Sequence, residues 1–288
     1  MNVKIIWMLF VQSISGTVFS QATIFEPVTI SNDKVFGASL SPNGKQIFFV
    51  NAFGGRDTLQ IMESKKIKGK WQKPTPAFFA DARYKEIDPT VSPDGETILF
   101  NSNEGDGKTF DIYALYKTAS GWTNPEKLSS AVNSSGSDFF ATMSSNRNIY
   151  FTRRIESNDI YVSYFLNNQY QNAVPLDSTI NSAKNESNPY IAPDESYLIF
   201  FSDQEGGFGD SDLYISFRNN NKWSRPLNLG GKVNTALSEF CPAVDVKGGY
   251  FYFSRTTVIG NTRKENIYRI KLKELGLKKL RRSAMLPN

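Results

Sequence analysis

The sequence predicts an all-β fold, a five-bladed β-propeller of four-stranded antiparallel blades, and three observations carry the prediction. A tight-turn motif recurs about every fifty residues. Apolar residues alternate after each turn. The last repeat lacks its fourth strand, and a segment matching that strand stands at the N-terminal end.

The turns begin at Ser41-Pro42-Asn43-Gly44, Ser92-Pro93-Asp94-Gly95, Ser144-Ser145-Asn146-Arg147, Ala192-Pro193-Asp194-Glu195 and Asp245-Val246-Lys247-Gly248, with spacings of 51, 52, 48 and 53 residues. Pro, Asp and Gly suit a tight reversal. The pairs Ile47 and Phe49, Ile98 and Phe100, Ile149 and Phe151, Leu198 and Phe200, and Phe251 and Phe253 follow. Their period of two is that of a strand with one buried face. A third strand follows at Asp111-Ile112-Tyr113, Asp159-Ile160-Tyr161, Asp212-Leu213-Tyr214 and Asn266-Ile267-Tyr268, with a worn copy at Thr58-Leu59-Gln60.

The fourth strand carries an aromatic, a residue three on and an apolar residue three further: Trp122, Pro125, Leu128; Tyr170, Ala173, Leu176; Trp223, Pro226, Leu229; and loosely Trp71, Pro74, Ala77. Proline is tolerated in a strand at a sheet edge, which makes this the outermost strand. Ile24, Pro27 and Ile30 repeat the spacing, so the N-terminal strand, residues 22–31, is expected to complete the last blade against residues 265–273 and close the ring.

Hydrophobic residues are 40% of the chain and aromatics 14%, which supports a packed core and excludes global disorder. Lys4 precedes the apolar run Ile5–Val11, and small or polar residues lead to Ser20, the pattern of a signal peptide over residues 1–20. The run is too short and interrupted to span a bilayer, and no later stretch is long enough, so the mature chain is expected to be exported and not membrane-spanning. The propeller is assigned to residues 21–273 and a basic tail to 274–288. Residues 271–288 carry six Lys and Arg against Glu274, which matches the whole chain's net charge of +5. The remainder is close to neutral, which excludes a nucleic-acid partner. The tail reads as a solvated extension, with contact to an anionic surface as the alternative.

The sequence holds no histidine, which removes Ser-His-Asp and Cys-His catalysis and the commonest metal ligand. The single cysteine, Cys241, excludes an internal disulfide framework; aligned with Asp88, Phe140 and Asn188 on the innermost strand, it reads as a small buried hydrophobe. Trp71, Trp122 and Trp223 recur with the blade and read as core.

One acid recurs six residues before the turn: Glu86, Asp138, Glu186 and Glu239, with Val35 in the first repeat. Alternating strand directions place this column at one mouth of the central channel. Four acids there fit a binding site for a cation or basic peptide; the same column also fits caps on backbone N–H groups. The Gly-and-acid hairpins Asn103–Gly107 and Asp203–Gly207 with Asp210 lie on the same face. They are candidates for Ca²⁺, although neither has EF-hand spacing, and glycines that permit positive φ explain them equally well.

The stretch Gly206-Gly207-Phe208-Gly209, Asp212-Leu213-Tyr214, Trp223–Pro226, Asn228-Leu229-Gly230, Val233-Asn234-Thr235, Glu239 and Pro242 resembles the PD40 repeats, the WD40-like propeller repeats of the TolB family. It also resembles propeller portions of secreted Bacteroidota proteins that often carry an OmpA-like domain. The resemblance covers roughly residues 24–273 and implies fold rather than function. TolB has six blades and an extra N-terminal domain. Neither these nor an OmpA-like domain has a counterpart in the repeats read here, so a Tol-type role is not carried over.

The expected function is therefore a secreted or periplasmic, non-enzymatic binding scaffold that contacts a protein or peptide over the acidic channel-mouth face, with no cofactor. Two alternatives remain. One is a glycoside hydrolase working with two carboxylates. The other is a lectin-like carbohydrate binder, for which Phe208 and Tyr84 are the loop aromatics outside the repeat register.

Overall fold

The computed structural model describes residues 21–260 and 262–285. The signal-peptide assignment falls on residues 1–20, outside the described residues. Five blades surround a channel. Their innermost strands are Val35–Leu40, Glu86–Val91, Ser137–Met143, Glu186–Ile191 and Ser238–Asp245. Each pairs antiparallel with the strand after its turn, and that strand with a third. In the first four blades the outer strand is two short pieces, such as Lys70–Trp71 and Thr75–Pro76, or Lys222–Trp223 and Leu227–Asn228. Pro74 and Pro226 stand in the gaps. A residue without an N–H cannot extend the ladder, so the edge strand breaks there.

The alternation of apolar residues understated the burial. Ile47 and Phe49 are buried as expected, but so are Phe48 and Val50 between them. The reason is the architecture: each sheet is sandwiched between two neighbours and needs two apolar faces. Phe48 and Ile61 of blade one pack with Ile98, Phe100 and Leu115 of blade two. Leu99, Ile112 and Ala114 pack with Ala141, Ile149 and Phe151 of blade three. Tyr150, Ile160 and Val162 meet Leu198, Phe200 and Tyr214 of blade four, and Ile199, Leu213 and Ile215 meet Phe251, Phe253 and Ile270 of blade five. Phe25, Tyr252 and Ile267 then pack on Val35, Ile47, Phe49 and Trp71, which returns the ring to blade one.

The N-terminal strand closes the last blade, though over a shorter length than residues 22–31. Thr23 pairs with Arg269 and Ile24 with Tyr268. The Phe25 N–H then donates to the Ile267 carbonyl at 2.8 Å. Ile24 is 39% exposed, while Phe25 is fully buried, edge-on to Trp71 at 5.9 Å and to Tyr252 at 5.2 Å between ring centroids. Ile30 is buried, as the repeat spacing implied. Asp33 adds a polar latch: its backbone N–H donates to Asn266 Oδ1 at 2.9 Å, and its carboxylate accepts from Lys264 at 2.7 Å.

The basic tail is not a free extension. Residues Leu272–Leu275 form a 3₁₀ turn and Leu277–Ala284 an α-helix, joined at Gly276, whose φ of 62° favours glycine. Leu275 and Ala284 are buried against the blade-four and blade-five core, with Leu277 and Leu280 half-buried beside them.

Phe25 is the side chain that converts five blades into a closed ring. Phe25→Ala should cost about 3–5 kcal/mol in denaturant unfolding. Ile24→Ala, one residue away and facing solvent, should cost under about 1 kcal/mol.

Candidate functional site

The channel wall has a repeated irregularity. In every innermost strand the pairing register shifts across two residues, between Phe36 and Ser39, Ile87 and Thr90, Phe139 and Thr142, Ser187 and Tyr190, and Phe240 and Ala243. The first bulged residue is Gly37, Asp88, Phe140, Asn188 or Cys241, and all five have positive φ, between 48° and 68°. Four of them carry side chains in a region that disfavours side chains, a cost that surrounding structure must sustain. Four bulges are held by the neighbouring blade: Ser254 Oγ, Asn101 Oδ1 and Thr152 Oγ1 accept from the backbone N–H groups of Gly37, Phe140 and Asn188, each at 2.9 Å, and Asn188 Oδ1 accepts from that of Cys241 at 3.3 Å.

These residues form a waist in the channel. Cys241 Sγ lies 3.7 Å from Asn188 Oδ1 and 4.0 Å from Asp88 Oδ1. On one side of the waist a cavity of about 350 Å³ is walled by Phe36, Phe110, Phe139, Phe201 and Phe240, with Asp88, Arg56, Arg154 and Arg263 among its polar groups. On the other side, at the face of the Ser-Pro turns, a cavity of about 320 Å³ is lined mainly by apolar and proline side chains, among them Pro93, Met143, Tyr190 and Pro242.

Asp88 is the one carboxylate in the wall of the first cavity. Burial pushes its pKa up to about 7, with the Arg56 charge acting the other way. Burial also holds the Cys241 thiol well above its ordinary value, so it is a protonated, inert group. Arg56 lies over the Phe36 ring at 4.4 Å and pairs with Glu265 at 2.6 Å; Arg263 reaches the same carboxylate at 2.9 Å. Arg154 is exposed, its guanidinium 5.8 Å from the Phe139 ring.

The four acids of the sequence column sit on the expected inner strands, but none of them lines either cavity. Each is 3% exposed or less and turned into the connection that precedes its strand. Glu86 Oε2 accepts from the Asp81 N–H at 3.0 Å. Asp138 accepts from the Ser134 N–H and hydroxyl at 2.6 and 2.7 Å, and from Arg153 at 2.6 Å. Glu186 accepts from the Ser182 N–H and the hydroxyls of Ser182 and Ser202, each at 2.8 Å. Glu239 accepts from the Thr235 N–H and hydroxyl at 2.9 and 2.7 Å, and from Arg255 at 2.6 Å.

A second polar column supports these loops and was missed from sequence. Asn133, Asn181 and Asn234 each accept from a third-strand backbone N–H and donate back to the carbonyl of that same residue, Ile112, Ile160 or Leu213. The signal was present as Val-Asn-Ser, Ile-Asn-Ser and Val-Asn-Thr, each with its acid five residues after the Asn. The hairpin acids are engaged locally as well: Asp106 accepts from the Lys108 and Thr109 N–H groups, and Asp203 from the Asn185 N–H. Among the described residues no group of three or more His, Cys, Asp or Glu is placed to hold a metal ion. Phe208 is exposed, and Tyr84 lies under Arg83 at 5.3 Å.

No protein-family model matches the chain, and no curated protein does. Solved structures match. The endo-arabinase from Bacteroides thetaiotaomicron VPI-5482 has a TM-score of 0.56 at 14% identity, over 84% of this chain and 96% of that one. The putative TolB from Agrobacterium tumefaciens has 0.54 at 13% identity, over 84% and 78%. TolB from Acinetobacter baumannii has 0.52 at 16%, over 84% of this chain and 53% of its own, so this chain spans about half its length. The likeness is one of fold. It shows a β-propeller fold and leaves the activity to be argued from the site. No helix among the described residues is long and apolar enough to cross a membrane.

Burial raises the pKa of Glu86, Asp138 and Glu239, and these acids differ in the contacts that offset it. Glu86 lacks the hydroxyl of Ser134, Ser182 or Thr235 and the guanidinium of Arg153 or Arg255, and burial pushes its pKa up to about 8. Below about pH 4.5 the folded and unfolded chains both carry it protonated. Between there and pH 8 the unfolded chain ionises while the folded one resists, so stability is lost as pH rises. Glu86→Gln should therefore match the parent melting temperature near pH 4.5 and exceed it by a margin that grows toward pH 8; a pH-independent difference overturns this assignment. Asp138→Asn strips a buried charge from Arg153 and should cost roughly 3–5 kcal/mol at neutral pH, read by denaturant unfolding.

Proposed function

We propose that the chain is an exported, non-catalytic binding propeller that takes a protein or peptide segment into the cavity above the channel waist. The observation that carries this reading is the composition of the waist. Gly37, Asp88, Phe140, Asn188 and Cys241 occupy one repeat position with five different chemistries, whereas the flanking acids and asparagines recur. A position that the repeat does not fix is free to serve a ligand. Phenylalanines supply apolar contact area, and Arg56, Arg154 and Arg263 supply donors for carboxylates or backbone carbonyls, which suits a segment with mixed apolar and acidic side chains. The carboxylates of Glu86, Asp138, Glu186 and Glu239 serve this face as the frame that fixes its loops.

Glycoside hydrolysis is the second reading, kept by the fold likeness to an endo-arabinase. Such hydrolases use two carboxylates flanking the scissile bond. The cavity wall offers Asp88 alone, which favours binding over turnover.

Peptide and glycan arrays probed with the folded protein distinguish the readings. Peptide capture is expected, and Arg154→Glu should weaken it at least ~10-fold, equivalent to about 1.4 kcal/mol, while leaving the melting temperature unchanged. Release of reducing sugar from an arabinan, abolished by Asp88→Asn, would falsify the binding reading.

A further inference from the structure

The two ends of the channel differ in charge, and the C-terminal segment makes the difference large. Strand direction puts the Ser-Pro turns, the Lys68-Gly69 turn and the end of the last third strand, Lys271, on one face. The chain then folds back there as the 3₁₀ turn and helix. Lys271, Lys273, Lys278, Lys279, Arg281 and Arg282 are all exposed, while Leu275 and Ala284 hold the segment to the propeller. The Leu272 N–H donates to the Gly249 carbonyl at 2.8 Å, which ties the cationic segment to the blade-five turn. These cations are therefore fixed to a rigid platform rather than carried on a free tail.

The platform extends beyond the helix. Exposed Lys247 and Val246 stand at the blade-five turn, and Lys66 and Lys68 flank exposed Ile67 on blade one, the next blade around the ring. Cations interleaved with protruding aliphatic tips fit a surface that is anionic at its headgroups and apolar beneath them. The opposite face is mixed: Glu104, Asp106, Asp203, Glu205 and Asp210 stand there with Lys108, Lys184 and the arginines of the cavity. A molecule whose cations are concentrated on one face, with mixed charges on the other, is oriented by a negative surface before contact.

We propose that the Ser-Pro-turn face, with helix Leu277–Ala284 at its edge, docks on an anionic lipid bilayer and leaves the arginine-and-phenylalanine cavity facing away from it. A duplex nucleic acid is the competing polyanion. The near-neutral propeller body argues against it, since the cations form one plate and not a groove that tracks a duplex.

The test is co-sedimentation of the full chain with vesicles of phosphatidylcholine alone or with about a third phosphatidylglycerol. Binding is expected to the anionic vesicles only and to fall steeply with salt. Lys278→Gln with Lys279→Gln should weaken it about 30-fold, since each surface cation contributes on the order of 1 kcal/mol near such a membrane. Lys108→Gln with Lys184→Gln, on the opposite face, should leave it unchanged. Equal binding to neutral vesicles, an unaltered affinity in the helix variant with its melt unchanged, or tighter binding to a DNA duplex than to anionic vesicles would each overturn the proposal.

Discussion

Each blade of this protein is a sheet with two apolar faces, and that constraint organises everything else. A sheet buried on one side can stop at solvent; a sheet buried on both sides must have two neighbours. Phe48 and Phe49, adjacent in sequence, are both buried because they point into different blade interfaces. Five such sheets satisfy one another only as a ring, and an open arc would expose the faces now covered at its two ends. The covalent break in the ring has to fall somewhere, and it falls inside the fifth blade, where Thr23 and Ile24 supply the outer strand and Phe25 fills the seam. Chain ends that are remote in sequence thus belong to one sheet, which is the structural reason to expect a cooperative fold.

The ring also explains where polar groups are spent. Outer connections must return from the edge of one blade to the channel of the next, and each return leaves backbone N–H groups away from water. The acid and asparagine columns satisfy them. Asp138 and Glu239 cap their own loop and at the same time bind Arg153 and Arg255 of the adjoining strand, so a single buried carboxylate serves both loop and sheet. Burial raises the pKa of Asp138, Glu239 and Glu86; Arg153 and Arg255 act against it in the first two, while Glu86, which makes only the first kind of contact among its hydrogen bonds, is pushed up to about 8. Recurrence of a residue type in a repeat protein is for this reason a sign of shared architecture more than of a shared ligand.

The sequence made the fold legible because propeller repeats are periodic at two scales, the fifty-residue unit and the two-residue strand. Both are visible in Ile98 and Phe100 and in their four counterparts. Closure was legible for the same reason, although the spacing pointed to Ile24 where the structure buries Phe25; a two-residue pairing leaves too little pattern to fix which neighbour turns inward. The waist was harder to see. Its signal was proline in the middle of a strand, at Asp88-Pro89, Asn188-Pro189 and Cys241-Pro242, which a regular ladder does not tolerate and a bulge does. The tail was misread because its cations dominate its composition, while four leucines and an alanine spaced along it carry the packing.

The position of the bulge connects architecture to function. An inner strand without it would present side chains at a regular pitch along the channel, and the five blades would line it with repeat-determined residues. The extra residue in each strand breaks that pitch at mid-height and aims one side chain per blade at the axis, where steric demands from the repeat are weakest. Gly37 leaves space there, Phe140 fills it, Asp88 brings one titratable group, and Asn188 and Cys241 complete a small polar contact. Five equivalent backbones thereby produce an asymmetric ring. An asymmetric ring can distinguish one orientation of a bound segment from another, which a site built from recurring acids could not do.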